Sequence, residues 1–321
     1  MTLPLTPDQL DALLDADIAP AVRQMAAASA AAPAHLLTPE QVRSAWEAAR
    51  KPLVRPPHAL EISDRVIDTP VPLEVRFYRP QAAAGTALPA VVYFHGGGFT
   101  NGDLDSQDAS CCAMATLADC AVLSVNYRKL PQHRFPAAFD DAVAAVRWLA
   151  AHATELGVDA ARIGTGGDSS GANIALAAAL ALRGEIGLQA LWLAYPIIGN
   201  QFDTESYIAN AEAPLLTRAR CQRILSDYFG GDVAHADWRL APLLAPDVSG
   251  LPPAVVLAAQ LDPLRSDAEI LVQRLHDAGI HAVRIDAAGM PHAFLRWLET
   301  PGAARRYVHQ SLEVLHGLLR R

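Results

Sequence analysis

Short, mostly apolar runs at residues 90–94, 121–125, 163–165, 190–195, 254–259 and 282–285 alternate with helix-length segments. Apolar runs without polar alternation suit strands covered on both faces, and parallel strands need long, usually helical, crossovers. The alternation therefore predicts a mostly parallel sheet with helices on both faces. Helices are expected near 107–117, 137–151, 170–182, 267–278 and 303–319. Extended runs begin at Leu60. Among them Leu73, Val75 and Phe77 alternate with Glu74, Arg76 and Tyr78, the period of a half-buried strand.

Residues 197–251 break this rhythm with a helix-like stretch at 217–228, several loops and no strand pattern. An insertion of that size between two strands reads as a lid or cap. Upstream, Thr6-Pro7-Asp8-Gln9 and Thr38-Pro39-Glu40-Gln41 each put Thr at an N-cap, Pro in the first turn and Gln three residues on. Two helices are expected there, and the alanine-rich stretch 26–34 reads as a hinge. The chain divides into residues 1–50, with the N-terminal helices, and residues 51–321, the main α/β domain with its insertion at about 197–251.

Several partners are disfavoured. The formal charge is −8 and Lys and Arg are scattered, so nucleic acid is not expected. The longest apolar run, 174–182, ends at Arg183-Gly184-Glu185, short of the roughly 20 residues that span a bilayer. Acids near the N-terminus replace the basic start of an export signal, so no membrane partner and a cytoplasmic location are expected. Cys111, Cys112, Cys120 and Cys221 show no metal spacing and read as reduced thiols.

Gly167-Asp168-Ser169-Ser170-Gly171 lies between the strand at 163 and the helix that follows. A serine on a sharp strand-to-helix turn needs glycines where the backbone passes closely, which makes Ser169 a candidate nucleophile. Alone, the pattern fits a glycine-rich turn equally well. His95-Gly96-Gly97-Gly98-Phe99 directly follows the strand at 90–94. Consecutive glycines let backbone N–H groups converge on an oxyanion. A phosphate loop would continue with Lys and Ser or Thr, whereas Phe99-Thr100 follows.

A serine nucleophile needs a base and an acid that orients it, and where the serine sits on a strand-to-helix turn of an α/β sheet the chain order is Ser, acid, His. Asp262 and His292 both follow strands and lie beyond their C-terminal ends, where open α/β sheets carry sites. His276 falls inside a helical run and His281 at a strand start, so both read as structural. Asp267 competes with Asp262 but sits where a helix opens, a place the helix dipole favours for acids.

With these residues placed, the sequence resembles the hormone-sensitive-lipase-like esterases, bacterial family IV. The resemblance runs from about Leu88 to the last helix. It rests on the glycine loop, on Gly167 to Asn173, on Ser249-Gly250-Leu251-Pro252-Pro253, on Asp262-Pro263-Leu264-Arg265 and on Gly289-Met290-Pro291-His292-Ala293-Phe294. It implies an α/β-hydrolase fold with an eight-stranded, mostly parallel sheet and a helical cap, of which the N-terminal helices of residues 1–50 form part together with the insertion. It implies Ser169, Asp262 and His292 as a triad, an oxyanion hole from the N–H groups of Gly97, Gly98 and Ser170, and support from His95, Gly96 and Asp168. Short- to medium-chain acyl esters are the implied substrates, with no metal or cofactor. Relatives often dimerise through a sheet edge, which makes a homodimer an expected partner state. Amide or lactone hydrolysis, or ligand binding without catalysis, are the competing readings.

Three departures stand out. Ser170 replaces the usual Ala, Ala293 replaces a Gly, and the family's Asp-Tyr-Arg-Leu-Ala-Pro-Glu reads Asn126-Tyr127-Arg128-Lys129-Leu130-Pro131-Gln132. The last change removes both acids and leaves the partner of Arg128 open.

Overall fold

The computed structural model describes residues 3–31, 34–49, 59–81 and 87–321. Its strands are β1 Leu60–Ile67, β2 Leu73–Pro80, β3 Leu88–Phe94, β4 Ala121–Val125, β5 Val158–Asp168, β6 Leu191–Ala194, β7 Ala254–Leu261 and β8 Ala282–Pro291. They form one eight-stranded sheet in the order β1-β2-β4-β3-β5-β6-β7-β8. β2 pairs antiparallel with β1 and β4. All other neighbouring pairs are parallel. The order reverses around β3, which lies between β4 and β5, and such a switch point opens a crevice at the strand ends.

The period-two alternation of β3 divides the core. Val92 and Phe94 join the cluster formed with α5 (Ala137–Ala151), α6 (Ser170–Ala181) and α9 (Arg265–Asp277). Val91 and Tyr93 face the other cluster, with α4 (Asp108–Leu117) and α10 (Ala303–Leu318). Trp192 is buried on that second face, and its indole N–H donates to Ser311 Oγ at 3.0 Å. The one polar atom of that large side chain is thereby satisfied.

Both expected N-terminal helices form, as α1 (Pro7–Ala12) and α3 (Pro39–Ala49). Each has a reciprocal capping box, with Thr6 N–H on Gln9 Oε1 at 2.8 Å and Thr38 N–H on Gln41 Oε1 at 2.9 Å. An unexpected helix, α2 (Ala19–Ala31), lies between them. The hinge read at 26–34 is therefore helical through Ala31, because alanine is the strongest helix former. Residues 32 and 33 of that stretch lie outside the described residues, as does the domain boundary at 50/51. Ile18 and Val22 bury α2 and its approach in the second core cluster.

The insertion carries no strand. It holds α7 (Glu205–Ala209), α8 (Arg218–Phe229) and two short 3-10 turns. Thr217 Oγ1 caps α8 by accepting from Arg220 N–H at 3.2 Å, and Gly230 ends it in the left-handed region. Tyr228 of α8 stacks on Phe99 with ring centroids 3.9 Å apart, which seats this helix on the glycine loop. Among the described residues, no helix is long and apolar enough to cross a membrane.

Candidate active site

β5 ends at Asp168 and α6 begins at Ser170, so Ser169 is the single residue of the turn. Its φ of 54° and ψ of −117° are strained for a residue with a side chain. The turn is held by Ser169 N–H, which donates to Ala194 O on β6 at 2.9 Å. A Cβ on Gly171 would lie 1.9 Å from Phe94 O, so only glycine lets α6 start this close to the end of β3.

The three residues that follow the ends of β5, β7 and β8 meet. Ser169 Oγ is 2.9 Å from His292 Nε2, and His292 Nδ1 is 2.7 Å from Asp262 Oδ2. Asp262 is fully buried, and its other oxygen accepts from Leu264 N–H at 3.0 Å. Since a carboxylate only accepts, Nδ1 carries the proton and Nε2 presents its lone pair to Ser169. Tyr195 packs edge-on against the His292 ring at 4.8 Å.

The rejected alternatives have other partners. His276 Nε2 lies 2.9 Å from Ala282 O, so this ring closes the turn between α9 and β8. Asp267 does stand in the first turn of α9, but its Oδ2 accepts from Ile198 N–H at 3.1 Å and Gly199 N–H at 2.8 Å. It pins the start of the insertion. Burial pushes its carboxyl up to about 7, the two backbone bonds oppose that shift, and the nearby Asp262 charge adds to it.

Asp168 joins the Ser169 turn to the glycine loop. Its Oδ1 accepts from Gly96 N–H at 2.7 Å and Tyr93 O–H at 2.8 Å, and Tyr195 O–H reaches Oδ2 at 3.4 Å. Burial raises its pKa and these donors work against the rise. His95 is wholly buried, with Nδ1 2.8 Å from Gly96 O and its ring stacked on Tyr127 at 4.4 Å. Burial holds its pKa well below the ordinary histidine value.

One expected donor is engaged elsewhere. Gly98 N–H donates to Ser170 Oγ at 3.0 Å, a bond that alanine at 170 could not accept. The substitution therefore reaches the glycine loop through its hydroxyl, although the backbone N–H of Ser170 is unchanged.

The other departures also resolve. Ala293 occupies the left-handed region at φ 60°, ψ 31°, so the conformation is kept with a methyl group added. Arg128 is held by Asp141, with Nη2 to Oδ1 at 2.7 Å and Nε to Oδ1 at 2.9 Å, and the same carboxylate accepts from Arg128 N–H. That acid lies on α5, outside residues 126–132.

Polar residues of the insertion support the site, and their spacing in sequence gave no sign of it. Asn210 Nδ2 donates to Gln260 O and Asp262 O, both at 3.1 Å, and Ser206 Oγ donates to Pro263 O at 2.5 Å. Asn173 Nδ2 reaches Ile197 O at 2.6 Å and Leu240 O at 2.7 Å. Among the described residues, no three His, Cys, Asp or Glu side chains gather as a metal site, and all four cysteines are free thiols.

Residues 91–296 match the family of proteins with the α/β hydrolase fold. The chain is 36% identical to the esterase LipI of Mycobacterium tuberculosis over 270 residues, covering 80% of this chain and 83% of that one. It is 36% identical to an ethyl acetate hydrolase of Pseudomonas putida over 231 residues, covering 70% and 72%. The solved structure of DphMB1 superposes with a TM-score of 0.85 at 33% identity, covering 95% of this chain and 99% of that one.

Proposed function

We propose, for a chain that belongs to the hormone-sensitive-lipase-like carboxylesterases of the α/β hydrolase fold, that its ester hydrolysis runs through Ser169, His292 and Asp262. The observation that carries this assignment is the unbroken hydrogen-bond chain, 2.9 Å from Ser169 to His292 and 2.7 Å from His292 to Asp262.

The mechanism follows from the proton positions. Ser169 Oγ attacks the ester carbonyl as His292 Nε2 takes its proton, and Asp262 stabilises the resulting imidazolium through Nδ1–H. The carbonyl oxygen becomes an oxyanion facing the N–H groups of Gly97, Gly98 and Ser170. His292 then returns the proton to the departing alcohol, leaving an acyl-enzyme. Water repeats the sequence, with His292 again the base, and releases the acid.

Acyl groups of short to medium length suit this site. A Cβ on Gly98 would lie 3.2 Å from Ile224 Cδ1 and Cγ1, so a branched aliphatic chain of α8 forms a ceiling beside the oxyanion loop. Residues 1–50 and 197–251 form the cap in this reading. Arg43 of α3 donates to Thr100 O at 3.2 Å, Asp15 N–H to Gly289 O at 3.0 Å, and Leu5 N–H to Ala209 O at 2.9 Å. These bonds tie the N-terminal segment to the glycine loop, to the approach of His292 and to α7.

A fluorophosphonate probe tests the nucleophile. Wild-type protein is expected to be labelled and Ser169→Ala unlabelled; equal labelling of both removes the assignment. A series of p-nitrophenyl esters tests the acyl range, and a preference for chains beyond about ten carbons contradicts it.

A further inference from the structure

We propose that Lys129 is a positioning residue of the oxyanion loop, whose ammonium holds the His95 ring and through it aims the N–H of Gly97. The inference rests on the reading of residues 95–98 as that loop.

Lys129 stands where the family segment quoted above has leucine. Its Nζ lies 2.6 Å from Asn126 Oδ1, 2.8 Å from Tyr127 O and 3.4 Å from His95 Nε2. All three are acceptors when His95 is the neutral Nδ1–H tautomer, and an ammonium has three N–H groups to give them. That tautomer follows from the other side of the ring, where Nδ1 is 2.8 Å from Gly96 O, an atom that only accepts. The change from Asp to Asn at 126 fits the same arrangement. An amide donates from Nδ2 to Glu74 Oε2 at 2.9 Å while its oxygen accepts from Lys129, and a carboxylate cannot do both.

The consequence passes through one peptide plane. Gly96 C=O and Gly97 N–H belong to the same planar trans peptide, so the hydrogen bond from His95 to the carbonyl sets the direction of the N–H. Two further contacts keep the ring from turning. Tyr127 stacks on it and donates its O–H to His95 O at 2.7 Å, and a Cβ on Gly102 would lie 2.3 Å from Nδ1. Lys129 Nζ lies 4.9 Å from the centre of the Tyr127 ring, so one ammonium braces both stacked rings.

The charges facing Lys129 are Glu74 on β2, Asp103 beyond the glycine loop, Asp141 on α5 and Arg43 on α3. Burial pushes its ammonium down to about 7, Arg43 adds to this, and the three carboxylates oppose it. Above that pH, a neutral amine has two N–H groups for three acceptors and turns a lone pair toward that of His95. Activity should therefore decline on the alkaline side for a reason that lies outside the triad.

The test measures kcat and KM for p-nitrophenyl acetate from pH 6 to 9 in wild type, Lys129→Met and Lys129→Gln, together with fluorophosphonate labelling. At pH 6.5 we expect Lys129→Met to lower kcat about tenfold, less than the loss of a whole oxyanion donor, with KM within about twofold. Its alkaline decline should vanish. Lys129→Gln, which keeps an N–H donor without a titrating charge, should recover part of kcat and show no alkaline decline. If Lys129→Met does not fold, Lys129→Gln carries the test through the shape of its profile. The proposal is overturned if Lys129→Met retains kcat within about twofold, or if either variant keeps the wild-type alkaline decline. Absence of fluorophosphonate labelling in the wild type would instead overturn the triad assignment.

Discussion

Replacing Ser170 with alanine asks what its hydroxyl does to the oxyanion loop. In the free protein Gly98 N–H is engaged by Ser170 Oγ at 3.0 Å. An oxyanion that recruits this N–H must displace a neutral hydrogen bond, whose net worth is about 0.5–1.5 kcal/mol. The charged acceptor wins that competition because charge-assisted bonds are roughly twice as strong. What remains is the displacement cost, which Ser170→Ala removes. At about 1.4 kcal/mol per factor of ten, kcat/KM should rise by about two- to twelvefold. Ser170 is fully buried and alanine is smaller, so no clash accompanies the change. Tyr127 keeps its own acceptor, His95 O at 2.7 Å. The assay is kcat/KM for p-nitrophenyl acetate, paired with the inhibition constant of a trifluoromethyl ketone that forms the tetrahedral adduct. Both should improve by the same factor and KM should stay constant. A fall in kcat, or a gain confined to KM, would refute the reasoning and make the Ser170 hydroxyl a support of the loop.

Three other outcomes are expected. Asp262→Asn should lower kcat by about 10⁴ by favouring the wrong His292 tautomer, as measured with the same ester at saturating concentration. Ala293→Gly should stabilise the fold by about 1 kcal/mol in urea unfolding, since a left-handed residue with a Cβ costs roughly 1–2 kcal/mol and glycine's greater unfolded-state freedom offsets part of the gain. For Asp267 the folded carboxyl is raised to about 7 by burial, so its contribution is greatest in acid and is lost as pH rises from its unfolded value through about 7. Asp267→Asn keeps an oxygen for Ile198 and Gly199 and removes the charge. The difference in unfolding free energy between variant and wild type should therefore shift in the variant's favour from pH 4 to pH 8, and a constant difference would contradict the burial argument.

What the sequence reveals tracks how local the cause is. β3, β4, β6 and β7 are legible because both faces are covered and the apolar runs are continuous. β5 is read too short, since its first half is partly exposed and carries Asp159 and Arg162, and its register with β3 shifts there. α2 is missed because alanine gives helix propensity without an apolar stripe to mark a face. In the site, Ser169, Asp262 and His292 are readable because each follows a strand in a fixed chain order. The Arg128–Asp141 pair and the support of Asp262 by Asn210 join residues that only the fold brings together. The Gly98–Ser170 bond depends on where one hydroxyl points, which no spacing records.

The grip of the N-terminal segment has a kinetic consequence. It holds backbone at Thr100, just beyond the oxyanion loop, and at Gly289, just before the loop of His292. If residues 1–50 cap the site as proposed, an excursion that lifts this segment to let an ester pass would slacken both of these places together. Admission and reaction would then belong to different moments, and the time the segment takes to settle would enter every turnover. An ester small enough to slip in beneath it would escape that delay, whatever its intrinsic reactivity.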